Sequence, residues 1–189
     1  MRCFIAIDLD EEIRGRLGKL QHELQKKVDI KRGDVKWVRP ELIHLTLKFL
    51  GEVRDENIAE VCNVVGDVAG RHAGFELDVG GVGYFGKGSA KVLWVGAGEN
   101  SSELVDLQGD IERDLAKAGW REENRRFTGH LTLCRIRNPR AGRALAELSR
   151  EYENFEIGLL DVDSVCVYQS ELTPSGPIYT VLSGSRLGG

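Results

Sequence analysis

The tetrapeptide His-Leu-Thr-Leu occurs twice in this chain of 189 residues, at 44–47 and at 130–133. In an extended strand, side chains two apart share a face. His44 and Thr46 therefore point one way and Leu45 and Leu47 the other, and His130 with Thr132 repeats the arrangement over Leu131 and Leu133. Each segment reads as a strand with an apolar face for a core and a polar face showing an imidazole beside a hydroxyl. A fold that carries this chain has to accommodate two such strands in equivalent settings.

The surrounding pattern is duplicated as well. "CFIAID" reads as a buried strand. Asp8 or Asp10 then caps a helix with Glu11 and Glu12 in its first turn and a stripe of Ile13, Leu17, Leu20, Leu24 and Val28. The loop "IKRGDVKWVRPE" leads to "IHLTLKFL", and Asp55 opens a second helix bearing Ile58, Val61, Cys62, Val65 and Val68. After the strands "FELDVGGVGYF" and "AKVLWVGA", joined by a turn around "GKGS", the order recurs. "VLWVG" stands where "CFIAI" stood, and Ser101 or Ser102 caps a helix with Leu104, Leu107, Ile111 and Leu115. Gly119 fits its C-terminal stop. An Arg-rich loop precedes "GHLTLCRI", a short helix lies near 140–150, and the strand-rich end "FEIGLLDVDSVCVYQS" and "PIYTVLSG" is divided by the turn signal "ELTPSG". This order predicts an α+β fold in one bilobal domain over residues 1–189, with pseudo-repeats roughly 1–90 and 91–189.

An imidazole titrates near pH ~6.5 and can give or take a proton at neutrality. Displacement at phosphorus needs both actions together: one group deprotonates the incoming oxygen while another protonates the leaving oxygen. Two matched strands facing across a groove supply that pair, and Thr46 and Thr132 supply donors for the non-bridging oxygens. No metal is required. A lone histidine in a strand is ordinarily structural; repetition of the whole tetrapeptide in a duplicated setting is what points to chemistry. His22 and His72 lack the pattern and read as surface residues on helices. The polar face offers Thr rather than a third metal ligand, G-x-S-x-G is absent, and the glycines of "GGVGYFGKG" read as turns and bulges rather than a nucleotide-binding fingerprint.

Composition narrows the setting. No apolar run is long enough to cross a bilayer, and the N-terminus turns acidic within a few residues, so a cytoplasmic protein is expected. Cys3, Cys62, Cys134 and Cys166 are scattered without C-x-x-C spacing and read as buried reduced thiols. The net charge of −4 argues against a general nucleic-acid coat. Its distribution says more: Arg121 to Arg143 holds seven arginines against two acids, and Lys26 to Arg39 six basic residues against two. Basic segments thus flank both repeats, either as a solvated face or as a phosphate-facing surface. Nothing marks a self-complementary patch, and a monomer is the expectation.

"RCFIAID", "WVRPELIHLTLKFLGEV", "RRFTGHLTLCRI" and "YQSELTPSGPIYTVL" together resemble the two-histidine phosphoesterase superfamily, specifically its LigT-type RNA 2′,3′-cyclic phosphodiesterases, also called 2′-5′ RNA ligases. The resemblance spans nearly the whole chain. It implies two lobes of antiparallel sheet facing a central groove, helices outside, and hydrolysis of RNA 2′,3′-cyclic phosphate ends or small cyclic nucleotides to 2′-phosphates without a cofactor. On it, His44 is the proton donor to the departing 3′-oxygen, His130 the proton acceptor from water, Thr46 and Thr132 hold the phosphate, and Arg135 matches the family's arginine three residues after the second threonine. Arg135 has the opposite strand parity to His130, so reaching the phosphate needs a bulge or a curling side chain. Gly129 stands where relatives usually have proline, which affects the turn into the strand. The resemblance also implies ligation of RNA ends through a 2′-5′ bond, with an RNA 5′-hydroxyl replacing water. A non-catalytic RNA- or nucleotide-binding module using the same groove is the alternative. Trp37, Phe85 and Tyr179 are candidates for stacking on bases or for lobe packing, and Lys48 for an RNA phosphate or for solvent.

Overall fold

Strand β1 (Arg2–Ile7) shows how the chain sorts its residues. Cys3, Ile5 and Ile7 enter the main core, whereas Phe4 and Ala6 belong to a second, smaller cluster with Tyr168 on the other face. "CFIAI" is buried on both sides, and the two sides do different work.

The structure is a computed structural model describing residues 1–188. Helix α1 (Glu11–Lys27) follows β1, capped by Asp10, whose carboxylate accepts from Ile13 N at 2.7 Å. Then come β2 (Val35–Trp37), β3 (Leu45–Glu52), α2 (Ile58–Ala69), β4 (Phe75–Phe85), β5 (Val92–Ala97) and α3 (Ser102–Lys117). Ser101 caps α3 by accepting from Leu104 N, and Gly119, at φ +92°, turns the chain beyond it. After β6 (His130–Ile136), α4 (Pro139–Ser149) is capped by Asn138, followed by β7 (Glu156–Val162), β8 (Ser164–Thr173) and β9 (Gly176–Arg186). The α+β class and the antiparallel pairing are as expected. One segment of the expected loop, Val35–Trp37, is a strand instead, paired with Cys134–Ile136 of β6.

The two expected sheets are two wings of one sheet, ordered β7-β4-β5-β6-β3-β1-β8-β9. The wings join where β3 meets β6 through a single ladder pair, Leu45 opposite Leu131. Beyond that pair β3 leaves, and β2 takes over the same edge of β6. The exchange of partners is sealed by Gln21, a buried residue of α1, whose amide donates to the carbonyls of Val38 (2.7 Å) and Leu133 (2.9 Å). The Leu133 carbonyl also accepts from Val38 N–H at 2.9 Å, so Gln21 supplies the donor for the Val38 carbonyl and ties both ends of this link to α1. Each wing takes strands from both halves of the chain, because β4 crosses to lie beside β5 and β8 returns to lie beside β1.

The helices bury their apolar stripes on one face: Leu17, Leu20 and Leu24 of α1, Val61, Val65 and Val68 of α2, and Leu104, Leu107 and Ile111 of α3 all enter the main core. The opposite face, carrying both His-x-Thr motifs, is left open. Among the described residues no helix is long and apolar enough to cross a membrane. All four cysteines are free thiols; Cys3 and Cys134 are buried, Cys62 and Cys166 only partly.

Candidate active site

The single pair joining the wings also sets the register of the motifs. With Leu45 opposite Leu131 on antiparallel strands, one step to either side sets His44 across from Thr132 and Thr46 across from His130. Two imidazoles and two hydroxyls thus form a diagonal square on the open face, with the four motif leucines beneath it buried in the core.

Both histidines are oriented in the same way. His44 Nδ1–H donates to the Leu42 carbonyl at 2.9 Å, and His130 Nδ1–H donates to the Thr128 carbonyl at 2.7 Å. Each bond goes to the residue two positions back, and in the neutral ring it leaves Nε2 as the free acceptor. Aromatic rings then hold each imidazole. Phe4 lies between His44 (centroids 4.7 Å apart, 25°) and Tyr168 (5.2 Å, 15°), and Tyr179 meets His44 edge-on at 5.3 Å. On the other wing Phe85 meets His130 edge-on at 4.9 Å, and Trp94 lies at 6.3 Å. Gly83 makes this possible, since a Cβ there would collide with the Trp94 indole.

Burial against these rings pushes both imidazoles below the ordinary histidine pKa. For His44 the bond to Leu42 and the nearby Asp8 carboxylate work in the opposite direction, and for His130 the bond to Thr128 does so while Arg135 adds to the lowering. A histidine whose folded pKa is depressed contributes stability that is complete above its unfolded value of about 6.5 and is lost as pH falls through the folded one. The thermal midpoint is therefore expected to fall on acidification from about pH 7 to about pH 5, measured by calorimetry in a single buffer series. A midpoint unchanged or rising over that interval would contradict burial of neutral rings.

Two bulges decide which further side chains reach this face. In β6 Thr132 pairs with Trp94 and Cys134 with Leu93, so Leu133 is an extra residue. The parity of the strand changes there, and Arg135 comes onto the face of His130 and Thr132. It is exposed, close enough to act electrostatically on both His130 and Tyr179. In β3 Ala6 pairs with Thr46 and Ile5 with Lys48, leaving Leu47 as the extra residue. The same change of parity sends Lys48 away from His44 to the helix side. There it is buried, ion-paired with Glu112 of α3 and donating to the Arg121 carbonyl at 2.9 Å. Lys48 is thus neither a phosphate contact nor solvated. Phe49 takes the open face instead, 63% exposed, 6.0 Å from Phe4.

Of the candidate stacking aromatics, Phe85 and Tyr179 stand beside the histidines, whereas Trp37 packs against the main core from β2. Phe4, Phe49, Trp94 and Tyr168 were not singled out by the sequence patterns, although strand alternation places Phe4 opposite Ile5. His72 lies in the turn after α2 rather than on it and bonds Asp110 at 3.0 Å; His22 is exposed on α1. At Gly129 a Cβ would collide with the Ala97 carbonyl oxygen, so this backbone has closed around a residue without a side chain.

Comparison with known proteins agrees with this architecture. The model of the LigT-like phosphoesterases matches the chain twice, over residues 7–94 and 95–179. The chain is 39% identical over 188 residues to the RNA 2′,3′-cyclic phosphodiesterase of Methanothermobacter thermautotrophicus, covering 99% of each protein. Among solved structures it superposes on TT0787 of Thermus thermophilus with a TM-score of 0.82 at 27% identity, covering 100% of this chain and 99% of that one. It superposes on E. coli LigT in complex with 3′-AMP with a TM-score of 0.78 at 25% identity, covering 100% and 98%. A doubly matched family model over a sheet that carries two equivalent His-x-Thr strands identifies the chain as an enzyme belonging to the LigT-like phosphoesterase family.

Proposed function

We propose that the chain hydrolyses 2′,3′-cyclic phosphate ends of RNA, or small cyclic nucleotides, to 2′-phosphates by paired histidine acid–base catalysis. The observation that carries the reading is the diagonal square of His44, Thr46, His130 and Thr132, with both Nδ1 atoms engaged on backbone carbonyls. The activity named for the Methanothermobacter relative and the 3′-AMP bound to E. coli LigT support the substrate class.

In this mechanism neutral His130 accepts a proton from water through Nε2 as the water oxygen bonds to phosphorus. The bond from phosphorus to the 3′-oxygen breaks on the opposite side, and protonated His44 delivers its proton to that oxygen. The product is a 2′-phosphate with a free 3′-hydroxyl, and the two histidines have exchanged protonation states. Thr46 and Thr132 donate to the non-bridging oxygens, where charge grows in the transition state. Arg135 adds a positive charge at the edge of the site. With an RNA 5′-hydroxyl in place of water, the same groups acting in the same sense would form a 2′-5′ bond, and run in reverse they would cleave it to the cyclic phosphate and a 5′-hydroxyl. Residues 1–189 act as one bilobal unit, a monomer, and the free thiols suit a cytoplasmic setting.

The decisive assay follows a 2′,3′-cyclic-ended oligonucleotide in the presence of EDTA and identifies the product by its phosphate position. Turnover to a 2′-phosphate is the expected result. Tight binding without turnover would favour a binding module, activity restored only by a divalent metal would favour a metal site, and a 3′-phosphate would exchange the histidine roles. The pH profile is a second check. Since kcat/KM reports the free enzyme, its limbs are expected on the acid side of about 6.5, where both buried rings titrate. The anionic phosphodiester favours protonated imidazoles, so the alkaline limb of kcat is expected at higher pH than that of kcat/KM.

A further inference from the structure

The two wings repeat one architecture, yet a histidine pair working as acid and base has to be asymmetric: one ring protonated, its counterpart not. The charged neighbours differ between the wings. On β1, Ala6 pairs with Thr46 and Ile7 with Leu45, so the next step sets Asp8 across from His44. The corresponding neighbour of His130 on β5 is Gly96, which has no side chain. Five residues after each histidine, beyond matched bulges, stand Phe49 in one wing and Arg135 in the other. A carboxylate thus stands in register across from His44, where the neighbour of His130 has no side chain, and a guanidinium shares the strand face of His130, where the first wing has a phenyl ring.

We propose that Asp8 is a positioning residue that fixes the direction of proton transfer: its carboxylate holds the proton on His44, while Arg135 keeps His130 unprotonated. The inference rests on the two-histidine reading above and adds to it what distinguishes the two rings. Asp8 lines the same cavity as His44, Phe4, Tyr168 and Tyr179, and the Tyr168 hydroxyl donates to its Oδ2. Phe4, stacked on both His44 and Tyr168, ties the carboxylate's partner to the ring it serves. The other charged groups around this cavity are Glu41, which adds to the negative field, and Arg14, 3.9 Å from Asp8 Oδ1 and also held by Glu11. Across the groove stands His130, whose charge when protonated opposes that of His44, with Arg135 beyond it; Arg135 and Arg2 both act on Tyr179. The influence of Asp8 on His44 is in the direction the proposal needs, as is that of Arg135 on His130.

Asp8→Asn removes the charge and keeps an acceptor for Tyr168. Because Asp8 is 45% exposed, solvent weakens its field, and the His44 titration observed by NMR is expected to fall by about half a unit, with His130 little changed. The alkaline limb of kcat/KM should move acid by the same amount, a loss of about threefold above it. A cyclic substrate with sulfur in place of the leaving 3′-oxygen needs no proton from His44, so on it the loss should vanish. Tyr168→Phe serves as the control that disturbs the same cluster without removing a charge, and should leave the limb near its wild-type position. If Asp8→Asn slows both substrates equally, or leaves the His44 titration and the limb unmoved, the inference is overturned while the catalytic pair stands. If His44→Ala itself retains turnover of the oxygen substrate, the underlying reading fails instead.

Discussion

Alanine in place of His44 or His130 is expected to lower kcat on a 2′,3′-cyclic-ended oligonucleotide by about 10²- to 10⁴-fold, the usual contribution of a positioned acid or base. The double variant should lose little more than either single one. In the proposed mechanism the two rings serve one displacement, and groups that act as a unit are strongly non-additive. Without His130 the attacking water keeps its proton; without His44 the leaving 3′-oxygen departs as an alkoxide. Binding of a 2′-phosphorylated product should persist in both variants, since the contacts assigned to Thr46, Thr132 and Arg135 are untouched. The variants should also fold. Each lost ring touches aromatic neighbours on one side and the open groove on the other, so collapse or hydration of the space costs less than a cavity in the closed core. Circular dichroism and product titration, run beside the kinetics, separate loss of chemistry from loss of structure. Turnover within tenfold of wild type in either variant would remove that histidine from the reaction.

What the sequence announced and what it withheld follow from the geometry of strands. The repeated tetrapeptide, the cap candidates Asp10 and Ser101 and the helical stripes are local signals, and each appears where local chemistry puts it. The face a strand turns to solvent is a local matter only when one face is polar. "CFIAI" is apolar on both faces, so nothing in it distinguishes Ile5, in the main core, from Phe4, which supports His44. Nor could spacing alone reveal that the two sheets join, because the junction is one pair of leucines sealed by a glutamine from a distant helix.

Lys48 and Arg135 form the sharpest contrast. Simple alternation puts Lys48 on the face of His44 and Arg135 off the face of His130, and both placements are inverted. The same device inverts them: one extra residue after each His-Leu-Thr, Leu47 in one strand and Leu133 in the other. The bulge needed for Arg135 to reach the open face, carried by symmetry to the first copy, would have sent Lys48 to the helices. A repeat therefore carries information about irregularities as well as about regular elements. Matching features extend into the helices, where Gln21 and Glu112 are each the eleventh residue of their helix and each meets the strand bulge of a motif. The two sites have diverged in chemistry, to an amide against carbonyls in one and a carboxylate against an ammonium in the other.

That divergence makes Lys48→Ala the substitution with the largest expected effect on stability. The lysine side chain is 4% exposed and Glu112 13%, so the pair is held largely out of water. Removing the ammonium leaves the carboxylate with only the Gln108 amide at 3.4 Å and the Glu123 N–H at 3.3 Å, and strips the Arg121 carbonyl of its donor. Breaking one side of such a pair costs about 3–5 kcal/mol, a large share of the total stability of a domain this size. Taking out both charges, as Lys48→Met with Glu112→Leu, should restore most of the loss, because the desolvation penalty of the stranded ion disappears. Urea unfolding of Lys48→Met, Glu112→Leu and the double supplies the cycle, and a shielded pair should give a coupling energy little altered between low and high salt. The loop after α3 gives a second readout: with Lys48 gone, the Arg121 carbonyl is no longer tied to β3, and cleavage by trypsin at the exposed arginines 121–126 should accelerate before global unfolding does. A cost below about 1 kcal/mol for Lys48→Ala, within the range of surface pairs, would mean that water reaches the carboxylate and that the bulge in β3 leaves the lysine far freer than its burial implies.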